Sequence, residues 1–405
     1  MIFDYLIQYN RYMNILGIFA ILLIAFCFSK HKRKIKLKLV FSALGLQFLI
    51  GIAVLKTNSG QRILDAIANG INNIYGFATV GTTFVFGNLT NADSAWGFIF
   101  AFKILPIIIF FGALTSVLFH FGIIQFFVGI INKLIRPILG TSGAETLCAI
   151  ANSFLGQTES PLLIRNYLHN MTKSEIFVVM VSGMATISGS ILVVFSSMGV
   201  PAKHMLAASV MAIPASILIA KIIYPETETS HTIDGADVTF EKKSTNVFDA
   251  IGSGTSDGLW LAINVGAMLI VFISLIALLN AMLESLLHIN LGFIFSKLFL
   301  PFSYLLGFES TDATKAAELL GTKVTINELV AYSKMVTMNL SERTQIIMTY
   351  ALCGFSNFSC IGIQLGGIGA LVPEKKQWLS ELGLLTVFAS SLANILSALV
   401  AAIII

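Results

Sequence analysis

The sequence predicts an all-α polytopic membrane protein: long apolar segments recur along nearly the whole chain, charge is scarce, and two polar stretches fall where re-entrant hairpins would lie. Of its 405 residues, 56% are hydrophobic and 11% charged, against about 25% charged in a typical soluble chain. Mean hydropathy is +0.86. A helix needs roughly 20 apolar residues to span a bilayer, and a β-barrel would alternate with period two instead. The net charge of +4 is small, and no nucleic-acid partner is expected.

Apolar segments at 13–29 and 38–55 read as the first two spans. Between them lies "SKHKRKIKLK" (29–38), a basic loop that the positive-inside rule places in the cytoplasm. The N-terminus is then outside, in a bacterial inner membrane, and no cleavable signal peptide is expected because a basic leader region is missing. Residues 60–78 carry Ile63, Ile67, Ile71 and Ile74 on one helical face, with Arg62, Asp65, Asn69 and Asn73 largely off it. That pattern predicts an amphipathic helix in the interface; a packed cytoplasmic helix is the alternative.

The third span is expected at 95–119. Residues 123–140 form a shorter segment, interrupted by Lys133, Arg136 and Pro137 and placed near the surface. Spans at 174–198 and 203–223 precede a polar stretch at 225–246, read as a solvent loop dividing the chain into halves. Further spans follow at 258–285, 343–371 and 378–404. The four cysteines, Cys27, Cys148, Cys353 and Cys360, lie in apolar contexts without a CxxC, so free thiols are expected rather than a metal site or disulfides.

Residues 142–168 and 309–333 are too polar at their centres to cross lipid alone. Both are predicted to be re-entrant hairpins, because irregular backbone at membrane depth is tolerated only when buried in protein or lining a wet cavity. The two halves echo each other. Glu159 in the first hairpin is followed 27 positions later by Thr186 in "GMATISGSI", and Glu328 in the second is followed 29 positions later by Asn357 in "GFSNFSCIGI". Small and polar residues at the centre of a span weaken the helix there, and paired interruptions in two repeats point to a transporter's binding site.

An intramembrane carboxylate is a functional-site hypothesis by default. Glu159 and Glu328, with Gln157, Thr158, Asn327 and Asn357, form a set of donors and acceptors suited to a neutral polyhydroxylated ligand. Phe355 could cover a planar face. The structural alternatives are that Glu159 caps hairpin backbone, that Glu328 pairs with Lys323, and that Phe355 faces lipid or core.

At these residues the chain resembles the concentrative nucleoside transporters. The motifs that carry the resemblance are "GQTESPLLIR" (156–165), "GTKVTINELVAY" (321–332) and "GFSNFSCIGIQLGGIGALVPE" (354–374). The resemblance covers essentially the whole chain. It implies a homotrimer with eight transmembrane helices per subunit, a scaffold and a transport domain, and an elevator-like movement driven by sodium or, in some members, by protons. On this plan residues 1–140 are scaffold helices with the interfacial helix, 141–224 the first transport repeat, 225–308 the polar loop and a scaffold span, and 309–405 the second transport repeat.

The resemblance further implies that Gln157, Thr158 and Glu159 face the nucleobase, that Glu328 and Asn357 hold the ribose hydroxyls, and that Phe355 lies against the base. A serine that contacts ribose in the family is replaced here by Cys360, a weaker donor. Asn152 and Thr186, with the carbonyls of Leu155 and Ile187, match the sodium-coupled pattern, and no organic cofactor is expected. Proton coupling and an uncoupled channel or facilitator are the alternatives. An intramembrane enzyme using Ser160 lacks a placed base, the nearest histidine being His169.

Overall fold

In the computed structural model, which describes residues 2–91, 99–233 and 244–405, the chain is helical from end to end, without a strand among those residues. A short α1 (Ile2–Ile7) leads into α2 (Arg11–Cys27), and α3 (Leu37–Leu55) follows the basic loop. The amphipathic helix, α4 (Asn58–Phe86), runs well past its expected end at 78. Its faces differ from expectation: Ile63 and Ile67 point outward, and Leu64 and Ala68 are buried instead. Lys203 holds this helix to the start of the fifth long span through Asp65 at 2.9 Å.

The third span comprises α5 (Phe100–Lys103) and α6 (Leu105–His120); its expected first residues, 95–98, lie outside the described residues. α7 (Ile123–Leu139) is one uninterrupted helix. Pro137 lies within its last turn, where it leaves the Lys133 carbonyl without its helical donor, and Gly140 closes the helix at φ +64°.

Helix–turn–helix units fall in both segments where hairpins were expected. The first enters as α8 (Gly143–Ala151), turns through residues 152–159, and returns as a 3-10 turn at Ser160–Ile164 and α9 (Arg165–Leu168). The next span is broken: α10 (Lys173–Ala185) stops at Thr186, extended at φ −119°, and α11 (Gly189–Ser197) restarts from Ser188, whose hydroxyl caps Ile191 N. α12 (Ala202–Ile223) is continuous. Then come α13 (Val247–Leu287), α14 (Leu291–Leu298) and α15 (Leu300–Leu305). The second hairpin is α16 (Ser310–Thr325) and α17 (Glu328–Thr337). A second broken span follows, α18 (Glu342–Leu352) and α19 (Ser359–Leu371), and α20 (Lys376–Ile404) ends the chain.

Six helical stretches among the described residues are long and apolar enough to cross a bilayer; Ile273–Leu287 with Leu291–Leu298, bent by 85°, count as a seventh where the pair is one broken span and as a re-entrant loop otherwise. α18 and α19 do not add to this number because the break leaves two short pieces, the polar α18 and the apolar but 13-residue α19.

α20 is the hub of the packing, against α2, α10, α12, α18 and α19. α6 and α13 form the most extensively packed pair, and α6 also meets α4, α7 and α11. A Cβ on Gly112 would lie 2.6 Å from the Gly254 carbonyl, and one on Gly258 would lie 2.8 Å from the Ile109 Cα. Glycine here lets two backbones touch, as small-xxx-small pairs do in membranes. α13 begins at Val247, eleven residues before the span expected at 258, and this contact holds part of that Gly- and Ser-rich extension against α6.

The polar stretch after α12 is described at 225–233 and 244–246, and the remainder lies outside the described residues. Its first part is not a free solvent loop. Gly143 N donates to the Thr232 carbonyl at 2.8 Å, which caps α8. Beneath it, Lys221 pairs with Glu145 at 2.8 Å and with Glu226 at 3.3 Å, closing the foot of the first hairpin onto α12. All four cysteines are free; Cys148, Cys353 and Cys360 are buried, and Cys27 is exposed.

Candidate functional site

Glu328 is the first residue of α17, at the point where the second hairpin turns. Asn327 caps that helix by accepting from Val330 N at 2.9 Å, so its side chain is taken up locally. Glu328 then sits at a helix N-terminus, a favourable place for negative charge. It is 6% exposed. Asn357, from the break between α18 and α19, donates to Glu328 Oε2 at 2.9 Å. Asn357 Oδ1 accepts from Ser359 Oγ at 2.6 Å and Cys360 N at 3.1 Å, which orients the amide and starts α19. A carboxylate has about four acceptor sites, of which Asn357 takes one.

Lys323 does not pair with Glu328. Its ammonium donates to the Ala351 carbonyl at 2.9 Å and to Asn394 Oδ1 at 2.6 Å. Phe355 is half-buried and packs on a small cluster of Met184, Cys360 and Val387.

The first hairpin brings Gln157 to the same region. Gln157 is 6% exposed, and Gln364 of α19 donates to its Oε1 at 3.1 Å. Gln364 also donates to the Met180 carbonyl at 2.9 Å, so both protons of its amide are engaged. Gln157 must therefore turn its oxygen to Gln364 and its NH2 the other way, with the Cys360 thiol within reach of the side chain. Two glycines permit this approach: a Cβ on Gly183 would lie 3.0 Å from Gln157 Cβ, and one on Gly367 would lie 2.8 Å from Thr158 Cγ2. Thr158 and Glu159 are exposed at the tip. Glu159 Oε2 accepts from Gly156 N at 3.4 Å, steadying the turn. Glu159 and Glu328 thus hold matching places, each at the start of a returning arm, but differ in burial.

The turn of the first hairpin is fastened to the break in its following span, since Gly189 N donates to the Phe154 carbonyl at 3.2 Å. Asn152, 1% exposed, donates to Ser182 Oγ at 3.0 Å. Ser182 gives its own proton to the Val179 carbonyl at 3.1 Å, so it can only accept from Asn152. Asn152 Oδ1 is left buried without a partner. Thr186 sends its proton to the Ser182 carbonyl at 2.9 Å, leaving its lone pairs outward. Leu155 and Ile187 are buried beside them, and their carbonyls accept no hydrogen bond among the described residues. A buried set of neutral oxygens with protons turned away fits a hard cation.

Ser182, Gln364 and Asn394 do not stand out in the sequence analysis. Their common signal is a polar side chain inside an apolar run, which membrane energetics marks as meaningful.

Two helix–turn–helix units stand against two broken spans, with a buried carboxylate–amide pair at one junction and the orphaned Asn152 oxygen at the other, an arrangement of the kind that places binding sites in transporters. The comparisons agree. Residues 16–89 match the family described as Na+ dependent nucleoside transporter N-terminus, 101–202 that described as Nucleoside recognition, and 204–402 the Na+ dependent nucleoside transporter C-terminus. The chain is 39% identical to the nucleoside permease NupC of Helicobacter pylori over 412 residues, covering 97% of each. It is 36% identical to sodium/nucleoside cotransporter 1 of Rattus norvegicus, covering 97% of this chain and 64% of that one. The structure of CNTnw in an inward-facing substrate-bound state superposes with a TM-score of 0.93 at 37% identity, covering 97% of this chain and 98% of that one. The chain belongs to the concentrative, Na+-dependent nucleoside transporter family. It is a multi-pass membrane protein, and the relatives so named are transporters, not enzymes.

Proposed function

We propose that this protein imports nucleosides by sodium symport across a bacterial inner membrane. The observation that carries the reading is the buried Glu328–Asn357 pair at the junction of the second hairpin and its broken span. Vicinal ribose hydroxyls supply the two donors that such a carboxylate accepts, and Asn357 adds a donor and fixes the carboxylate's orientation. Gln157 offers its NH2 to an acceptor on the base, with Thr158 and Glu159 at the tip beside it. Phe355 provides an apolar face for the base, and Cys360 lies where a ribose contact is expected.

Sodium is the proposed coupling ion, held by Asn152 Oδ1, Thr186 Oγ1 and the carbonyls of Leu155 and Ile187. The orphaned Asn152 oxygen supports this over proton coupling, because none of these four residues offers a titratable group. The scaffold is proposed to centre on α6 and α13, and the moving body on the hairpins, the broken spans, α12 and α20. The extensive packing of α6 on α13 supports this division, with α6 meeting the moving body at α11. Its movement is an elevator, and three copies form the working homotrimer.

The test is uptake of labelled uridine by liposomes containing the purified protein, with an inward sodium gradient and then with potassium in its place at fixed pH. Accumulation above equilibrium in sodium alone is expected. Accumulation that follows a pH gradient and ignores sodium would discard the cation site. Uptake that equilibrates under every gradient would favour a facilitator.

A further inference from the structure

We propose that Asn394, anchored by Lys323, is the positioning residue through which the cation site and the nucleoside site sense each other's occupancy. This rests on the sodium-symport reading above. Asn394 lies on α20 and is 1% exposed. Its NH2 donates to the Ala185 carbonyl at 2.7 Å and to the Cys353 carbonyl at 2.9 Å. Ala185 is the residue before Thr186, at the edge of the first break; Cys353 opens the second break, which leads to Asn357. One amide therefore joins the last ordered carbonyls of both broken spans.

The other end of that amide is equally committed. Asn394 Oδ1 accepts from Lys323 Nζ at 2.6 Å and lies 2.8 Å from Ser356 Oγ. Ser356 Oγ is also 3.0 Å from the Met184 carbonyl, a second tie between the two breaks. Glycine is required where they cross, since a Cβ on Gly354 would lie 2.5 Å from Asn394 Oδ1 and 2.8 Å from the Ala185 carbonyl. Lys323 is 2% exposed and has no carboxylate partner among the described residues. Burying an ammonium takes it out of water at a cost that a neutral side chain would avoid. Its position explains it. Lys323 stands five residues before Glu328 on the second hairpin, and Phe358 N in the second break donates to the carbonyl of its neighbour Val324 at 3.3 Å. A shift of the first break on cation binding moves the Ala185 carbonyl. It is passed through Asn394 to the Cys353 carbonyl and to Lys323, and so to both elements that carry the Glu328–Asn357 pair.

The test compares uridine dissociation constants of the purified full-length chain in sodium and in potassium. Wild type is expected to bind more tightly in sodium, by a factor within the roughly 5–150-fold range of site-to-site coupling. Asn394→Asp keeps an acceptor and an ion pair for Lys323 but loses both donors to the breaks. Its sodium-to-potassium ratio is expected to fall to about twofold or less, with affinity in potassium within about threefold of wild type. A ratio equal to wild type in a folded variant would overturn the proposal, as would equal losses in both salts. If Asn394→Asp does not fold, Lys323→Met, which leaves both donors in place and removes the anchor, is measured in the same way and is expected to lower the ratio. A wild-type chain that binds no uridine, or binds it equally in both salts, would overturn the function reading and this proposal together. An unchanged ratio in the variants overturns this proposal alone.

Discussion

Asn357 donates to Glu328 at 2.9 Å across a junction that joins the second hairpin to the break in the following span. Neither residue has another means of reaching the other, since 29 positions separate them and each lies at a helix start. The pair exists because both the hairpin and the span are interrupted at the same depth.

Replacing Glu328 by Gln removes the charge and keeps the shape. Hydrogen bonds to charged groups are worth about 1.5–3 kcal/mol, so uridine binding should weaken roughly 10–100-fold. A sharper check uses 2′-deoxy- and 3′-deoxyuridine. Wild type should discriminate against both, and Glu328→Gln should discriminate much less. Near-normal uridine affinity in the variant would remove Glu328 from the pocket.

Gln364 is predicted to matter without touching a hydroxyl, because it forces Gln157 to present its NH2. In Gln364→Met that constraint is lost, and the uridine KM should rise about 2–10-fold, the worth of one neutral hydrogen bond. Gly183→Ala tests the same contact from behind, with its new methyl 3.0 Å from both Gln157 Cβ and Gln364 Nε2. Alanine favours a helix by about 1 kcal/mol over glycine. The Gly183 variant should therefore bind uridine more weakly while its thermal midpoint is no lower. A fall in both would assign Gly183 to folding alone.

The hairpins and the broken spans were legible because their composition conflicts with their setting. "SFLGQTESP" and "GFSNFSCIG" place polar and helix-weakening residues where lipid-facing helix would otherwise run. Gln364 and Asn394 were not, since each is a lone amide in an apolar run, "IGIQLGG" and "SLANILSA", and its partners lie about 200 residues away at Gln157 and Ala185. The true start of α13 was hidden for the opposite reason. Glycine and serine there resemble loop, and only the packing of Gly254 and Gly258 on α6 makes them helical. The outward turn of Ile63 and Ile67 likewise depends on which neighbours α4 meets.

Cys360 separates fold from affinity. Its side chain is 2% exposed, against Phe355, Met184 and Val387. In Cys360→Ser a hydroxyl, a stronger donor than the thiol, takes a position with Gln157, Asn357 and Ser359 on one side and that apolar cluster on the other. If the ribose reaches residue 360, saturating uridine should raise the midpoint of the variant by more than it raises that of wild type. Affinity for uridine should improve about 2–10-fold. Equal thermal shifts in the two proteins would mean that residue 360 does not meet the ligand.

Asn152 carries the prediction with the most direct sign. Its Oδ1 is buried and unpartnered, while its NH2 is held by Ser182. Asn152→Ala removes one neutral oxygen from the proposed cation site, so half-maximal uptake should need more sodium, by about tenfold for a loss near 1.4 kcal/mol. Uptake at saturating sodium should fall far less, because the nucleoside contacts are untouched. Asn152→Asp makes the discriminating comparison. A carboxylate adds charge at the same position, which strengthens attraction for a cation but loses the donor to Ser182. If sodium binds there, the half-maximal concentration in Asn152→Asp should lie below that of Asn152→Ala. An unchanged sodium dependence in both variants would place the cation elsewhere, and Asn152 would then be a buried cap on the first hairpin.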